Sequence, residues 1–238
     1  MPALNISFFT ELPKPIGENG GGMSNAILGT GTLIALAALI GLPFGIAGGV
    51  YLSEYAHGKI SQLLRFAIDL LTSVPSIIIG VFVYALLVKP LRHFSALAGA
   101  VALGIIMLPI VARTTEEILR LVPMSIREAG LALGIPRWKV VIFVVLRGSV
   151  PGISTGVILA IARAAGETAP LLFTSFGSQY WSHGVLEPIA SLPVQIYTYA
   201  ISPYENWHHQ AWAGALVLVL FVLLLNILTR IVAQRSSD

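Results

Sequence analysis

In the stretch AIARAAGETAPLLF, residues 160–173, Arg163 and Glu167 stand four positions apart inside a run otherwise fit for lipid. A guanidinium is never deprotonated in practice, and its planar fork of donors matches an oxyanion as the point charge of lysine does not. A carboxylate one helical turn away can compensate the fork when the site is empty and yield it when an anion enters. Such an exchange keeps the barrier low without creating a deep trap. The plain alternative is an i,i+4 pair that only neutralises itself. A charge at mid-bilayer costs from about 2.5 kcal/mol upward, and packed apolar residues in place of a buried pair are often neutral or stabilising. Retention of the pair therefore points to anion passage, with Arg163 as pathway cation and Glu167 as its counter-charge.

The elements that must hold these residues are membrane helices. Hydrophobic residues make up 56% of the 238, charged residues only 11%, and the mean hydropathy is +0.85; soluble domains carry about 25% charged residues. Five apolar stretches reach, or nearly reach, the length needed to cross about 30 Å at 1.5 Å per residue. They are residues 27–51, 68–88, 96–112, 152–173 and 212–232, the third running on through Arg113 and Thr114. Their continuity favours helices over the alternating strands of a barrel. The expected fold is an all-α integral membrane protein, a polytopic bundle with five transmembrane helices. In the fourth stretch Gly152, Gly156, Ala160, Ala164 and Thr168 recur every four residues as a smooth ridge that lets helix backbones approach closely. Arg163 and Glu167 each precede a ridge residue, so they flank the protein-facing side. Arg163 lies about 16 Å into that stretch, near the midplane.

Topology follows from Lys and Arg. Flanks 53–67, 113–151 and the C-terminus hold ten cations; the opposite flanks hold Lys14, Lys89 and Arg92, and loop 174–211 holds none. Loop 113–151 and the tail 233–238 are therefore expected in the cytoplasm, and residues 1–26 and loop 174–211 outside, around a transmembrane domain 27–232. Nothing visible would deliver the N-terminal loop across the membrane, so a first helix is expected to be missing. The net charge of +3 comes without a basic run, which argues against nucleic acid, and no cysteine is present for a disulfide or thiolate metal site.

Within LVPMSIREAGLALGIPRWKVVIFVVL, Ser125 and Glu128 have capping-box spacing, Gly134 suits a left-handed helix end and Pro136 a helix start. Two short helices joined at Gly-Ile-Pro are predicted, and Trp138–Leu146 is read as a surface segment or an extension of a neighbouring helix. Glu128-Ala129-Gly130 followed by Gly134 resembles the EAA loop of ABC importer permeases: Glu-Ala-Ala, three residues, Gly, nine residues, Ile, one residue, Leu-Pro. Here Gly130 replaces the third residue, Val144 replaces Ile, and Arg147 stands where Pro is expected, which suggests a subfamily. The resemblance implies a coupling helix docked on a separate ATPase subunit, with Glu128, Ala129, Gly130 and Gly134 in that role.

RTTEEILRLVPMSIREAGLALGIPRWK, AIARAAGETAPLLFT and the stretch 192–230, with FFTELPKPIGENGGGMSNAILGT near the start, closely resemble the phosphate importer permeases of that superfamily over residues 6–232. The Arg–small–small–Gly–Glu pattern is shared with sulfate and molybdate permeases, while the continuation Thr168-Ala169-Pro170-Leu171 favours phosphate and adds Thr168 to the pathway residues. The resemblance implies a six-span family, a second similar permease (a heterodimer), two ATP-binding subunits, an exterior phosphate-binding protein and no cofactor. Permeases for another oxyanion, and a structural assembly subunit with an architectural Arg–Glu pair, are the alternatives. No Gly-x4-Gly-Lys-Ser/Thr loop or other catalytic motif is present, so a transporter subunit is expected and not an enzyme.

Other polar and breaking residues have plainer readings. Asp69 is expected at the interface or paired with Arg65, and Arg113, Glu116 and Glu117 on a solvated helix face. Pro75 and Pro109 are expected to kink helices. The aromatics of loop 174–211 are expected to lie at headgroup depth. His208-His209, without further ligands, is not expected to hold a metal.

Overall fold

The computed structural model describes residues 4–15, 18 and 20–235; the remaining residues of the expected exterior loop and of the tail lie outside it. The described chain is helical, with no strand. Its elements are α1 (Ile6–Thr10), α2 (Ser24–Glu54), α3 (Gly58–Ser73), α4 (Ser76–Leu91), α5 (Ala96–Leu121), α6 (Met124–Ala132), α7 (Arg137–Ala165), α8 (Ala169–Thr174), α9 (Leu192–Ala200) and α10 (Glu205–Arg235). Four are long and apolar enough to cross a membrane, namely α2, α5, α7 and α10. A fifth span arises if the bent pair α3–α4 is taken as one.

α5 is the centre of the bundle and its most buried long helix. It continues through Arg113 and Thr114 to Leu121, as the third apolar stretch suggested. Ser95 caps its start through the Ala98 amide at 3.2 Å, and the amides of Ser95, Ala96 and Leu97 find the carbonyls of Thr174, Glu187 and Val185. The orphan donors of a helix start are thus met by the expected exterior loop. α2 packs on α5 through Gly41, Gly45 and Gly49, a stripe at helical spacing. A Cβ at Gly45 would lie 2.9 Å from Val111 Cβ, and one at Gly49 2.5 Å from Thr115 Cβ. Close backbone approach of this kind replaces the hydrophobic effect in lipid.

Two expected spans are broken. The stretch 68–88 does not form one helix: α3 ends at Ser73, Pro75 precedes α4, and the two meet at 100°. Proline cannot donate to the preceding turn and disfavours helix at the residue before it. The stretch 152–173 likewise divides. Its first part belongs to a helix that starts at Arg137 and absorbs Trp138–Leu146, and it stops at Ala165; Gly166–Thr168 then lead into α8. Counting residues from Gly152 therefore does not set the depth of Arg163. Pro109, by contrast, lies inside an unbroken helix.

At the other end of the bundle α1 brings Phe8 into a cluster with Met23, Leu192, Tyr199 and Ala213. Gln210 donates to Gly20 O at 2.8 Å and Asn25 to Ser178 O at 2.7 Å. The N-terminal segment and loop 174–211 are thus on the same side. Tyr199 is buried and stacked on Trp207 at 4.4 Å, so it belongs to the core and not to a headgroup belt.

Candidate substrate pathway and coupling site

The small-residue ridge of α7 seats on α5 as its spacing predicts. A Cβ at Gly152 would meet Ile118 at 2.9 Å, and one at Gly156 would overlap the side chain of Thr114. Ala160 and Ala164 continue the buried face. Thr168 falls beyond the helix end, at the start of α8, and is not on the ridge. Opposite α8, a Cβ at Gly80 of α4 would lie 2.6 Å from Pro170 Cα, so the break after α7 is held tightly against α4.

Arg163 and Glu167 are brought together, but across that break and not along one helix. Arg163 Nε and Glu167 Oε1 are 3.7 Å apart, beyond hydrogen-bond reach, and the two side chains are 47% and 16% exposed. Arg163 therefore projects from the surface of this chain and is not covered by it. Its position in the last turn of α7 sets it beside the partial negative charge of the helix end. A fork with one long contact in an apolar span is chemically able to take a second, closer oxyanion.

The coupling region departs further from expectation. Ser125 does not cap α6: Pro123 occupies the cap position in extended conformation, and Ser125 lies inside the first turn. Proline at the boundary decides where the helix starts. Gly134 adopts the left-handed conformation at φ +73°, with nothing within 4 Å of a Cβ, and Pro136 immediately precedes α7. Glu128, Ala129 and Gly134 are exposed. Gly130 is not; a Cβ there would meet Val140 Cγ2 at 2.8 Å, so this glycine seats α6 on the start of α7 and lies away from the outer face.

Two buried carboxylates were not foreseen. Glu54, at the end of α2, is 3% exposed and faces Arg127 of α6, with Nη2 to Oε1 at 2.5 Å and Nε to Oε2 at 3.0 Å. That hydrogen bond raises the Arg127 pKa above its ordinary value against the opposing effect of burial. Arg137 donates to the Glu54 carbonyl and lies over the Tyr55 ring at 5.3 Å. Glu116, expected on a solvated face, is equally buried and held by Arg65 at 2.7 Å and Arg120 at 2.6 Å. Arg65 thus turns to α5 and not to Asp69, whose partner is Arg113 at 3.6 Å.

A family model for the binding-protein-dependent transport system inner membrane component matches residues 41–238. The chain belongs to that permease family. It is 50% identical over 235 residues to the phosphate transport system permease protein PstA of Yersinia pestis, covering 98% of this chain and 80% of that one. The corresponding protein of Haemophilus influenzae is 49% identical over 238 residues, covering 100% and 84%. A probable phosphate transport system permease PstA of Methanocaldococcus jannaschii is 41% identical over 204 residues, covering 85% and 73%. Among solved structures, the inward-facing MetNI methionine ABC transporter superposes with a TM-score of 0.73 at 19% identity, over 91% of this chain and 98% of that one. That likeness shows the fold. The chain is a multi-pass membrane permease subunit and not an enzyme. Its family works with separate ATP-hydrolysing subunits and a binding protein.

Proposed function

We infer that this chain is a permease subunit of an ATP-driven importer of inorganic phosphate, and that Arg163, Glu167 and Thr168 form its share of the path. The observation that carries the pathway reading is Arg163 itself. Its guanidinium stands half-exposed on a membrane helix with one carboxylate contact at 3.7 Å. Phosphate as the anion is supported by relatives at 41–50% identity named for phosphate transport.

An arginine uncovered by its own chain needs a facing surface, since a charge against acyl chains is costly. A second, similar permease supplies it, and the path then runs between the two subunits as a heterodimer. The excess of Lys and Arg supports a cytoplasmic 113–151 loop and C-terminus, with residues 1–26 and 174–211 outside. Two ATPase subunits then dock at α6 through Glu128 and Ala129 with Gly134 at its end, while a phosphate-binding protein delivers the anion from the opposite side. Gly130 contributes by fixing the seat of α6.

The test is uptake of labelled phosphate by the complete complex in vesicles. Arg163→Gln lowers uptake by about one to two orders of magnitude, the worth of a charge-assisted hydrogen bond, while subunit assembly and ATP hydrolysis persist. Unchanged uptake would leave the pair an architectural role only. Sulfate and molybdate as competitors decide the anion: inhibition equal to that by unlabelled phosphate would overturn phosphate selectivity.

A further inference from the structure

We propose that Arg127 is a positioning residue that locks the coupling helix α6 to the membrane bundle, with Glu54 as its seat, so that motion imposed on α6 reaches Arg163. The proposal rests on the reading that α6 docks on an ATPase subunit.

α6 has little else to hold it. It is nine residues long, and Gly130 is its one buried residue. It is entered at Pro123 and left through Gly134, whose left-handed backbone has open space around it. A short helix between two such turns would swing under load and leave the bundle behind.

The Arg127 fork removes that freedom. Nε and Nη2 bind the two carboxylate oxygens of Glu54, Nη2 also donates to Leu119 O at 2.9 Å, and Nη1 donates to Val122 O at 2.7 Å. Leu119 O lies in the last turn of α5, where it also accepts from the Val122 amide at 3.3 Å, and Val122 O lies at the C-cap just beyond. Carbonyls at a helix end have acceptor capacity to spare. One side chain therefore ties α6 to the ends of both α2 and α5. Arg137 ties the start of α7 to the same residue by donating to Glu54 O. The Arg127 and Glu54 side chains are 14% and 3% exposed, so water does not screen them. Burial of an ion pair is poor evidence for stability, because apolar packing serves as well. Apolar packing, however, is non-directional, whereas a planar fork with each nitrogen engaged fixes angle and distance.

The block continues into the membrane. Gly41, Gly45 and Gly49 seat α2 on α5, and Thr114 and Ile118 of α5 fill the notches at Gly156 and Gly152 of α7. α7 carries Arg163 in its last turn. Packed contacts therefore lead from α6 to the pathway cation without an intervening loop.

The experiment uses the assembled complex in vesicles and reads three quantities: ATPase co-purification, ATP hydrolysis, and phosphate moved per ATP hydrolysed. Arg127→Gln, which keeps an amide donor but loses the fork, retains the first two and lowers the third at least tenfold; Arg127→Lys, which keeps the charge, lowers it less. If Arg127→Gln does not accumulate, Glu54→Gln gives the same reading, since it keeps an acceptor and loses the charge. An unchanged ratio would overturn the link, as would uptake, hydrolysis and co-purification falling in proportion, because a merely structural role predicts that. Glu128→Arg, measured beside them, tests the docking reading alone: ATPase subunits retained by that variant overturn docking, whatever the Arg127 ratio shows.

Discussion

The two ends of α7 treat the same chemistry in opposite ways. At the end near α6, the Arg127 side chain is 14% exposed, and its fork meets the two carboxylate oxygens of Glu54 at 2.5 and 3.0 Å. At the other end Arg163 stands 47% exposed with its carboxylate at 3.7 Å. A guanidinium whose donors are all engaged by its own chain belongs to the fold and has nothing to offer a ligand. One held loosely keeps its donors for something that arrives. The difference lies in satisfaction, not in residue type.

Stability breaks or sustains that contrast most directly. Glu54→Ala leaves Arg127 buried without its partner, a change that costs about 3–5 kcal/mol. Arg163→Ala removes an exposed, loosely paired charge and costs at most about 1 kcal/mol. Thermal unfolding of the solubilised complex, followed by loss of folded protein, checks both. Equal losses would mean that Arg163 is as structural as Arg127, and the contrast would fall.

The ridge between the two ends gives a smaller effect. Gly156→Val forces a branched side chain into the space held by Thr114 and costs about 1–3 kcal/mol by overpacking. Gly148, on the same helix, has nothing within 4 Å of a Cβ, so Gly148→Ala is neutral or stabilises by up to about 1 kcal/mol. Thr114→Ala added to Gly156→Val recovers part of the loss, because the two side chains compete for one volume. A failure of that recovery, measured as the same unfolding midpoint, would show that α5 and α7 do not meet at this notch.

Local sequence revealed the spans at α2, α5 and α10, the ridge from Gly152 to Ala164 and the left-handed Gly134, because each is written in composition or spacing along one helix. Glu54 and Arg127 are 73 residues apart and Arg65 and Glu116 are 51 apart, so no local pattern joins them. Spacing within α3 instead suggested Arg65 with Asp69, a pairing lost because Arg65 turns toward α5. Ser125 and Glu128 have the spacing of a cap, yet Pro123 set the helix start two residues earlier. The break after Ala165 fell inside a stretch long enough to be read as one span, although Gly166 past one helix end and Pro170 inside the next start mark it. Arg163 was legible as a residue of interest, while its exposure depended on the fold.

The finest distinction concerns Glu167. It is mostly shielded, and it sits too far from Arg163 for a hydrogen bond, so its charge acts on the fork as a screened pair worth up to about 1 kcal/mol. If it compensates Arg163 between passages, Glu167→Gln leaves the arginine uncompensated, and an anion that binds there departs more slowly. Maximal phosphate uptake then falls by about two- to fivefold, the rate equivalent of that energy, with ATP hydrolysis retained. Because the carboxylate acts through the guanidinium, adding Glu167→Gln to Arg163→Gln lowers uptake no further than Arg163→Gln alone. Additive losses in the double variant would give Glu167 its own contact with the anion or the fold. An unchanged rate in the single variant would reduce the pair to proximity without exchange.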